Sequence, residues 1–223
     1  MTGTLGLLET TGLTPAMVAI DTMTKTAAVR ILQLELNDFY GVCVKITGAT
    51  ADVQTAIDAG RRVADQMRGS PITTVLTRVA ESAMPGIRSQ PEFSPFIQQP
   101  VVFQGEEMET APSTTLTAQS PKPTSMNQEI PMALGFIETQ GFTTVFEAID
   151  TACKAASVEV VGKEKLGGGY VTIVIQGQLS AVATAVATAV ATGKEKVNGL
   201  GKLIAAHVIA RPSESVLKLL PKI

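Results

Sequence analysis

The hydrophobic and polar positions of the first eighty residues follow two periods, and their order predicts a β-α-β-β-α-β unit. Apolar side chains recur at helical spacing after Thr14-Pro15, a dipeptide typical of a helix cap and the first helical residue. A second helical stripe covers residues 51–67, after Gly48. The intervening segments are β-branched or alternate between apolar and polar residues, as strands do. The four predicted strands span residues 3–9, 29–36, 41–47 and 72–79.

The same pattern occurs twice in the chain. The segment LGLLETTGLT at 5–14 returns at 134–143 as LGFIETQGFT, so that Leu5 corresponds to Leu134. This register holds without a gap over residues 5–67, with about 20 of 63 positions identical. Chance similarity does not keep one offset over such a length, so the chain contains two copies of one module.

The repeat also decides the most ambiguous segment of the second copy. Residues 181–192 read AVATAVATAVAT, and their Val and Thr content alone would favour a strand. The valines nevertheless fall four residues apart and align with the second helix of the first copy. We therefore predict a helix here, followed by a strand over 203–210 and a short terminal helix over 213–220 capped by Ser213.

The segment between the copies has a different composition. Residues 104–131 lack periodicity and are rich in Pro, Ser, Thr, Gln and Glu, which is typical of a linker. Phe93, Phe96 and Phe103 are expected to attach the preceding stretch to the first domain. The predicted domains are a first domain at 1–100, a flexible linker at 101–131 and a second domain at 132–223.

Composition narrows the function classes. A net charge of −2 provides no attraction for nucleic acid or an anionic membrane. The sequence shows no secretory signal and no apolar run that could span a bilayer. The only cysteines, Cys43 and Cys153, occupy non-equivalent positions of the two copies, which argues against a disulfide or metal site and favours a reducing cytosol. His207, the single histidine, is interpreted as a structural strand residue.

Four motifs of the second copy follow one another at characteristic spacing. They are MALGFIET at 132–139, AIDTACKAA at 148–156, EKLGGG at 164–169 and HVIARP at 207–212. In this order they resemble the shell protein domain of bacterial microcompartments. The first copy is similar in its opening, in DTMTKTA at 21–27 and in Gly48, and departs elsewhere. The resemblance implies an α/β (α+β) fold with two tandem β-α-β-β-α-β shell domains, each an antiparallel sheet flanked by helices.

The resemblance also implies a function. Tandem-domain shell proteins assemble as trimers that imitate a hexamer, tile into flat facets and carry a central metabolite pore. By this resemblance the chain is a non-enzymatic, cytoplasmic shell protein without a cofactor or metal. Its partners would be two further copies of itself as a homotrimer, other shell proteins and small metabolites, but no nucleic acid and no membrane. The iron–sulfur cluster of some relatives is not expected, because neither pore loop contains cysteine.

The resemblance places the pore at the loop between the second and third strands of each copy. This loop is LNDFY in the first copy and KLGGG in the second. We expect alternating bulky and small segments around the pore, with Asp38 disfavouring anions if it faces the lumen. The alternatives are a flexible hairpin turn at the glycines and core packing of Phe39 or Tyr40. The predicted pore-lining residues are Asn37, Asp38, Phe39, Tyr40, Leu166, Gly167, Gly168 and Gly169.

Three further residues match the edges at which neighbouring tiles of the family meet. Lys25 and Lys154 align between the copies and match the edge lysine, although a solvated lysine on an amphipathic helix is the alternative. Arg211 matches the arginine that reaches into the adjoining tile. Its counterpart in the first copy is predicted to be Glu81, after a slip of one residue.

A second interpretation is a duplicated α/β regulatory protein that binds a small molecule between its domains. An RNA-binding platform would need exposed aromatic residues and a basic face, and the sequence shows neither. An enzyme is disfavoured further, because no catalytic set of residues is visible.

Overall fold

The computed structural model describes residues 4–37, 40–105, 132–195 and 201–221. Asp38, Phe39 and the predicted linker from residue 106 onwards lie outside the described residues. None of the described helices is long and apolar enough to cross a bilayer.

Each copy contributes four strands and two long helices. The first copy comprises β1 (Thr4–Thr11), α1 (Leu13–Thr26), β2 (Val29–Leu36), β3 (Gly41–Gly48), α2 (Thr50–Gln66) and β4 (Ile72–Leu76). An extension follows it, with a 3-10 turn (Glu81–Ala83), α3 (Met84–Ile87), β5 (Phe93–Ser94), β6 (Gln99–Pro100) and β7 (Val102–Gln104). The second copy comprises β8 (Met132–Gln140), α4 (Phe142–Ala155), β9 (Glu159–Lys165), β10 (Tyr170–Gln178), α5 (Leu179–Glu195), β11 (Lys202–Ala210) and α6 (Glu214–Lys218).

The two sheets have the same topology, which confirms the predicted tandem β-α-β-β-α-β fold. Their strand orders are β4-β1-β3-β2, with β7 added at the edge, and β11-β8-β10-β9. All neighbouring strands are antiparallel. Even the irregularities repeat, because one residue is skipped in the pairing at Leu32 of β2 and at Val161 of β9. These two residues are equivalent in the repeat, so the copies share their backbone in detail.

The ambiguous segment of the second copy is helical, as predicted. Residues 181–192 lie within α5, and one face of this helix is buried against the sheet. The alternation of valine and alanine on that face lets α5 pack closely on β8. The fully or largely buried residues of the stripe are Val182, Ala185, Val186 and Ala189.

The closing strands show where the repeat changes its offset. β4 pairs Leu76 with Leu5, and β11 pairs Ile209 with Leu134. Leu5 and Leu134 are equivalent in the repeat, so Leu76 and Ile209 must be equivalent as well. The second pair is further apart in the chain than the first, because four extra residues precede the last strand of the second copy.

This offset corrects the alignment of Arg211. Its counterpart is Arg78, and the predicted match with Glu81 is wrong. Glu81 instead opens the 3-10 turn directly after Ala80. Ser213 precedes α6 in the same way, and the two residues have similar backbone angles, φ −65 and ψ 134 against φ −66 and ψ 158. Ser213 also caps α6 as predicted, because its hydroxyl accepts from Val216 N.

The start of α1 differs from the prediction. The helix begins at Leu13, after Gly12 in a left-handed conformation with φ 98. The hydroxyl of Thr14 lies inside the first turn and accepts no hydrogen bond there, so the predicted cap at Thr14 is wrong. The first turn of α1 finds its acceptor in the other copy, as described below.

Of the three phenylalanines predicted to attach the extension after β4 to the first domain, only one does so. Phe103 lies on β7 and packs against the core, which confirms its expected role. Phe93 and Phe96 are 60% and 96% exposed, so the expectation is wrong for them. Phe96 occupies the turn of the β5–β6 hairpin.

The two copies share one hydrophobic cluster. Leu134, Phe136 and Leu166 of the second copy belong to the same buried cluster as Leu8 and Met17 of the first. The contact is made by α1, which packs on β8, β11 and α6. We call this contact between α1 and the second sheet the joint.

Candidate functional site

The predicted pore loops of the two copies lie together at one end of the joint. A cleft of about 710 Å³ is lined by Leu36 and Asn37 from the first loop and by Gly167 and Gly168 from the second. The β5–β6 hairpin forms another wall of this cleft. Leu166 contributes to the lining but is itself buried. The structure therefore brings residues of both loops into one cleft, whereas Tyr40 and Gly169 do not line it.

The second loop needs glycines because of its backbone conformation, and not because neighbouring atoms would clash with a side chain. Gly167, Gly168 and Gly169 have φ angles of 77, 57 and 83 degrees, in the left-handed region that favours glycine. A Cβ atom at Gly167 or Gly169 would meet nothing within 4 Å. The loop therefore presents small residues and open backbone to the cleft.

Tyr40 takes the place of Gly169 in the first copy and has the same left-handed conformation, with φ 73. A bulky residue is strained in that region by about 1 kcal/mol or more. Tyr40 is only 6% exposed, and its ring stacks on Tyr170 at a centroid distance of 3.9 Å and an angle of 17 degrees. Burial, with the nearby Glu138 carboxylate and Tyr170, raises the pKa of its hydroxyl. Tyr40 thus packs in the joint, which was the alternative to pore lining.

A buried carboxyl group, that of Glu138, lies at the end of the joint where α1 begins, and Glu138 is equivalent to Glu9 in the repeat. Its carboxylate oxygens accept hydrogen bonds from the backbone N–H groups of Leu13 at 2.9 Å and Thr14 at 3.0 Å. Glu138 is fully buried, and this burial raises its pKa, while the two amide hydrogen bonds act in the opposite direction. A carboxylate at a helix N-terminus satisfies amides that have no partner within the helix.

The outer end of the joint is polar and contains one predicted edge lysine. Lys25 Nζ forms an ion pair with Asp21 at 2.7 Å and donates to the backbone oxygen of Arg211 at 2.8 Å. The other oxygen of Asp21 accepts from the N–H of Ser213 at 2.8 Å. Lys25 and Arg211 are therefore neighbours within one chain. Lys154 forms the equivalent ion pair with Asp150.

In the part of the chain that the structure describes, the titratable groups outside the joint form no metal-binding cluster and include no activated thiol. Among the described residues, no three His, Cys, Asp or Glu side chains are arranged to hold a metal ion. His207 lies on β11 opposite Phe136, and burial lowers its pKa although Asp21 opposes this effect. The Cys43 thiol, half-buried on β3, has its pKa raised to about 11 by burial. Such a thiol remains protonated near neutral pH, so it is a poor nucleophile.

A known protein family matches both copies. The model of the BMC domain family matches residues 4–78 and 133–212. The carboxysome shell protein CcmK2 of Thermosynechococcus vestitus is 47% identical over 92 residues, which are 41% of this chain and 88% of that protein. The bacterial microcompartment shell protein PduA of Salmonella typhimurium is 42% identical over 97 residues, 44% of this chain and 96% of that protein.

A crystal structure of a microcompartment protein from Desulfitobacterium hafniense matches 98% of this chain and 99% of its own length, at 24% identity and a TM-score of 0.35. The assignment depends on the family model, which covers well over half of the chain. The chain belongs to the BMC domain family of bacterial microcompartment shell proteins, and it contains the domain twice.

Proposed function

We propose that the protein is a structural tile of a bacterial microcompartment shell in the cytoplasm. Three chains form a pseudohexamer with six domains around a central pore, and the tiles pack edge to edge with other shell proteins. The relatives that share a single domain with this chain are named as shell proteins of carboxysomes and of another microcompartment. Its role is therefore that of a barrier and not that of a catalyst.

The observation that carries this proposal is the head-to-tail arrangement of the two copies. α1 of the first copy packs on the sheet of the second, while both pore loops lie at the same end of the joint. A contact of this kind uses two different surfaces, so it can continue from chain to chain and close into a ring. With two domains in each chain, three chains provide six positions.

The pore of this ring would be edged by two kinds of loop in alternation. Gly167, Gly168 and Gly169 provide small, backbone-rich segments, and Asn37 belongs to the bulkier loop of the first copy. Asp38 would place three carboxylates in the ring, which disfavours anions. Small metabolites would cross such a pore, with anions disfavoured.

The tile edges would use Lys154 and Arg211, with Lys25 and Arg78 at the alternate positions. Lys154 has 74% of its side chain exposed, and the residue Arg211 is also exposed. Lys25 remains 45% exposed although it binds within the joint. Every edge of the ring thus carries a lysine and an arginine, because Arg78 is the equivalent of Arg211.

Electron microscopy of the purified protein tests the proposal. We expect three-fold particles with the mass of three chains of 23.3 kDa each, and extended sheets of such particles. A double Lys25→Ala, Lys154→Ala variant is expected to keep the particle and to lose the sheets. A stable monomer that binds a small molecule in the cleft of about 710 Å³ and never forms arrays would instead favour a duplicated regulatory protein.

A further inference from the structure

We propose that the β5–β6 hairpin belongs to the pore, and that three copies of its tip form an apolar collar around one mouth. The tip is the turn of residues 95–98, which contains Phe96. Such a collar would make Phe96 a specificity-determining residue that disfavours strongly hydrated ions of either sign. This inference rests on the proposed trimer, because the collar exists only where three chains surround one axis.

One side of the hairpin is fastened to the first pore loop. β7, which follows the hairpin, pairs with β2 as far as Glu35, whose partner is Val102. One residue further along, the backbone N–H of Leu36 donates to the oxygen of Val101 at 2.8 Å. Leu36 is the first residue of the loop LNDFY. The chain therefore leaves the hairpin directly beside this loop.

The hairpin also binds the first residue of the second pore loop, Lys165. The side-chain nitrogen of Gln99 donates to the backbone oxygen of Lys165 at 2.6 Å, and its side-chain oxygen accepts from the N–H of Lys165 at 3.2 Å. In this way Gln99 pairs with the outer edge of β9 as a neighbouring strand would. Lys165 Nζ in turn donates to the backbone oxygen of Ile97 in the tip, at 2.8 Å.

These two contacts use equivalent positions of the repeat. Leu36 and Lys165 each open a pore loop, and each donates its backbone N–H to a residue between 99 and 101. A segment that binds both loops in this way keeps its position relative to both. It therefore belongs to the same end of the molecule, where the cleft of about 710 Å³ has both loops and the hairpin as its walls.

The tip itself is closed and apolar. The N–H of Gln98 donates to the backbone oxygen of Ser94 at 2.8 Å and closes the turn. Pro95, Phe96 and Ile97 all line the cleft beside the glycine loop. Phe96 is nevertheless 96% exposed, and Pro95 next to it is exposed as well. Neighbouring exposed apolar residues at the mouth of a cleft mark an interaction surface.

In a ring of three chains, each chain would bring one such tip to the mouth of the pore. Among the described residues only the first copy carries this hairpin, because α6 and residues 219–221 follow the last strand of the second copy. Three phenyl rings would therefore surround the axis. Water leaves an apolar constriction easily, so an ion that keeps its hydration shell passes poorly. A neutral organic solute loses less hydration there.

This selection differs from the one proposed for Asp38. Carboxylates distinguish solutes by the sign of their charge, whereas an apolar constriction distinguishes them by their hydration. Removal of the Asp38 carboxylate should favour anions alone. Removal of the Phe96 ring should favour anions and cations alike, so the two roles can be separated in one measurement.

Distances between spin labels test where the tip lies. Phe96→Cys in a Cys43→Ser, Cys153→Ser background provides one label site in each chain. Pulsed electron paramagnetic resonance then measures the distance between labels of different chains in the isolated three-chain particle. The same background with Lys154→Cys labels the proposed tile edge and is the control. We expect the labels at residue 96 to lie closer to one another than the labels at residue 154, because the former surround the axis.

Solute passage tests the chemistry of the collar with both natural cysteines in place. Phe96→Ser is expected to increase the passage of acetate and of ethylammonium, each relative to neutral acetamide, by several-fold in assembled shells. Phe93→Ser is the matched control, because Phe93 is 60% exposed in the same hairpin but does not line the cleft. Its selectivity should equal that of the wild type.

The outcomes separate this inference from the proposed function. A three-chain particle in which the labels at residue 96 lie no closer together than those at residue 154 would overturn the collar and leave the shell role intact. Shells in which Phe96→Ser has the selectivity of the wild type would do the same. A wild-type protein that stays monomeric would overturn both.

Discussion

The two copies have nearly the same backbone but very different surroundings, and helices α1 and α4 show this most clearly. Both helices have 14 residues, follow a left-handed glycine and carry an Asp–Lys ion pair near their end. α1 is buried on all sides of its first half, whereas α4 buries only four residues. The burial of equivalent helices in this molecule therefore depends mainly on which neighbour packs against each copy, and much less on the sequence of the helix itself.

The largest expected effect comes from placing the same charge on both helices. Met17→Asp puts an unpaired carboxylate into the joint, and we expect it to lower the free energy of unfolding by more than about 4 kcal/mol or to prevent folding. Phe146→Asp, at the equivalent position of α4, should leave the fold of the chain intact. Circular dichroism with urea unfolding measures both. Equal losses of stability would contradict the contrast between the helices.

The next comparison concerns the equivalent carboxylates Glu35 and Glu164. Glu35 forms an ion pair with Lys45, whose side chain is 9% exposed, and Glu35→Gln should cost about 3 kcal/mol by leaving that cation unpaired. In the second copy Val174 replaces Lys45, and Glu164 accepts a hydrogen bond from Gln99 instead. Burial raises the pKa of Glu164 to about 8.

Because of this shift, Glu164 makes the free energy of unfolding depend on pH in a predictable direction. The folded protein retains a proton that the unfolded chain releases above its ordinary pKa of 4.5, so the free energy of unfolding falls as pH rises from about 4.5 to 8. The slope is at most about 1.4 kcal/mol per pH unit. Glu164→Gln should flatten this decline and stabilise the protein at pH 8, and Glu35→Gln should not. A decline that persists in Glu164→Gln would refute the assignment.

A smaller effect is expected for the equivalent residues Glu138 and Glu9. Glu138→Ala leaves the buried amides of Leu13 and Thr14 without an acceptor and should cost about 2 kcal/mol of chain stability. Glu9→Ala should change the stability of the chain by less than about 0.5 kcal/mol, because Glu9 is exposed in it. Urea unfolding in dilute protein measures both variants. A stability loss that is larger for Glu9→Ala than for Glu138→Ala would reverse the comparison.

The smallest effect is expected in the pore loops, where Asp38 is equivalent to Gly167. Asp38→Ala should increase the passage of anionic relative to neutral solutes by a few-fold, because it removes negative charge from the proposed ring. Gly167→Ala alters the other loop without changing charge and serves as the control. Solute flux through assembled shells measures both, and unchanged selectivity in Asp38→Ala would refute the role of the carboxylate.

Much of the fold could be predicted from the sequence because each helix and strand occurs twice in the repeat. A clear pattern in one copy could therefore decide an ambiguous pattern in the other. The helical assignment of α5 came from its alignment with α2, and the structure confirms it. The alignment of Arg211 failed because four extra residues precede β11, and little identity remains there to reveal them. The gap became visible only through strand pairing, which connects residues far apart in the chain.

The joint was the part of the candidate site that sequence reasoning missed. Thr14 is a residue type that often caps helices. The hydrogen-bond acceptor for the first amides of α1 is nevertheless Glu138, 125 residues away from Leu13. The repetition of Glu9 and Glu138, each three residues before a shared glycine, was the available signal. Local propensity could not show it, because the amides and the carboxylate belong to different copies.

That separation has a consequence for the synthesis of the chain. A ribosome adds about 5–20 residues per second, so the 125 residues between Leu13 and Glu138 take roughly 6–25 s to make. During this interval the first copy has emerged with the apolar side of α1 uncovered and its first turn unsatisfied. Translation speed along residues 14–138 therefore sets how long a nascent chain is open to pairing with the wrong neighbour on the same polysome.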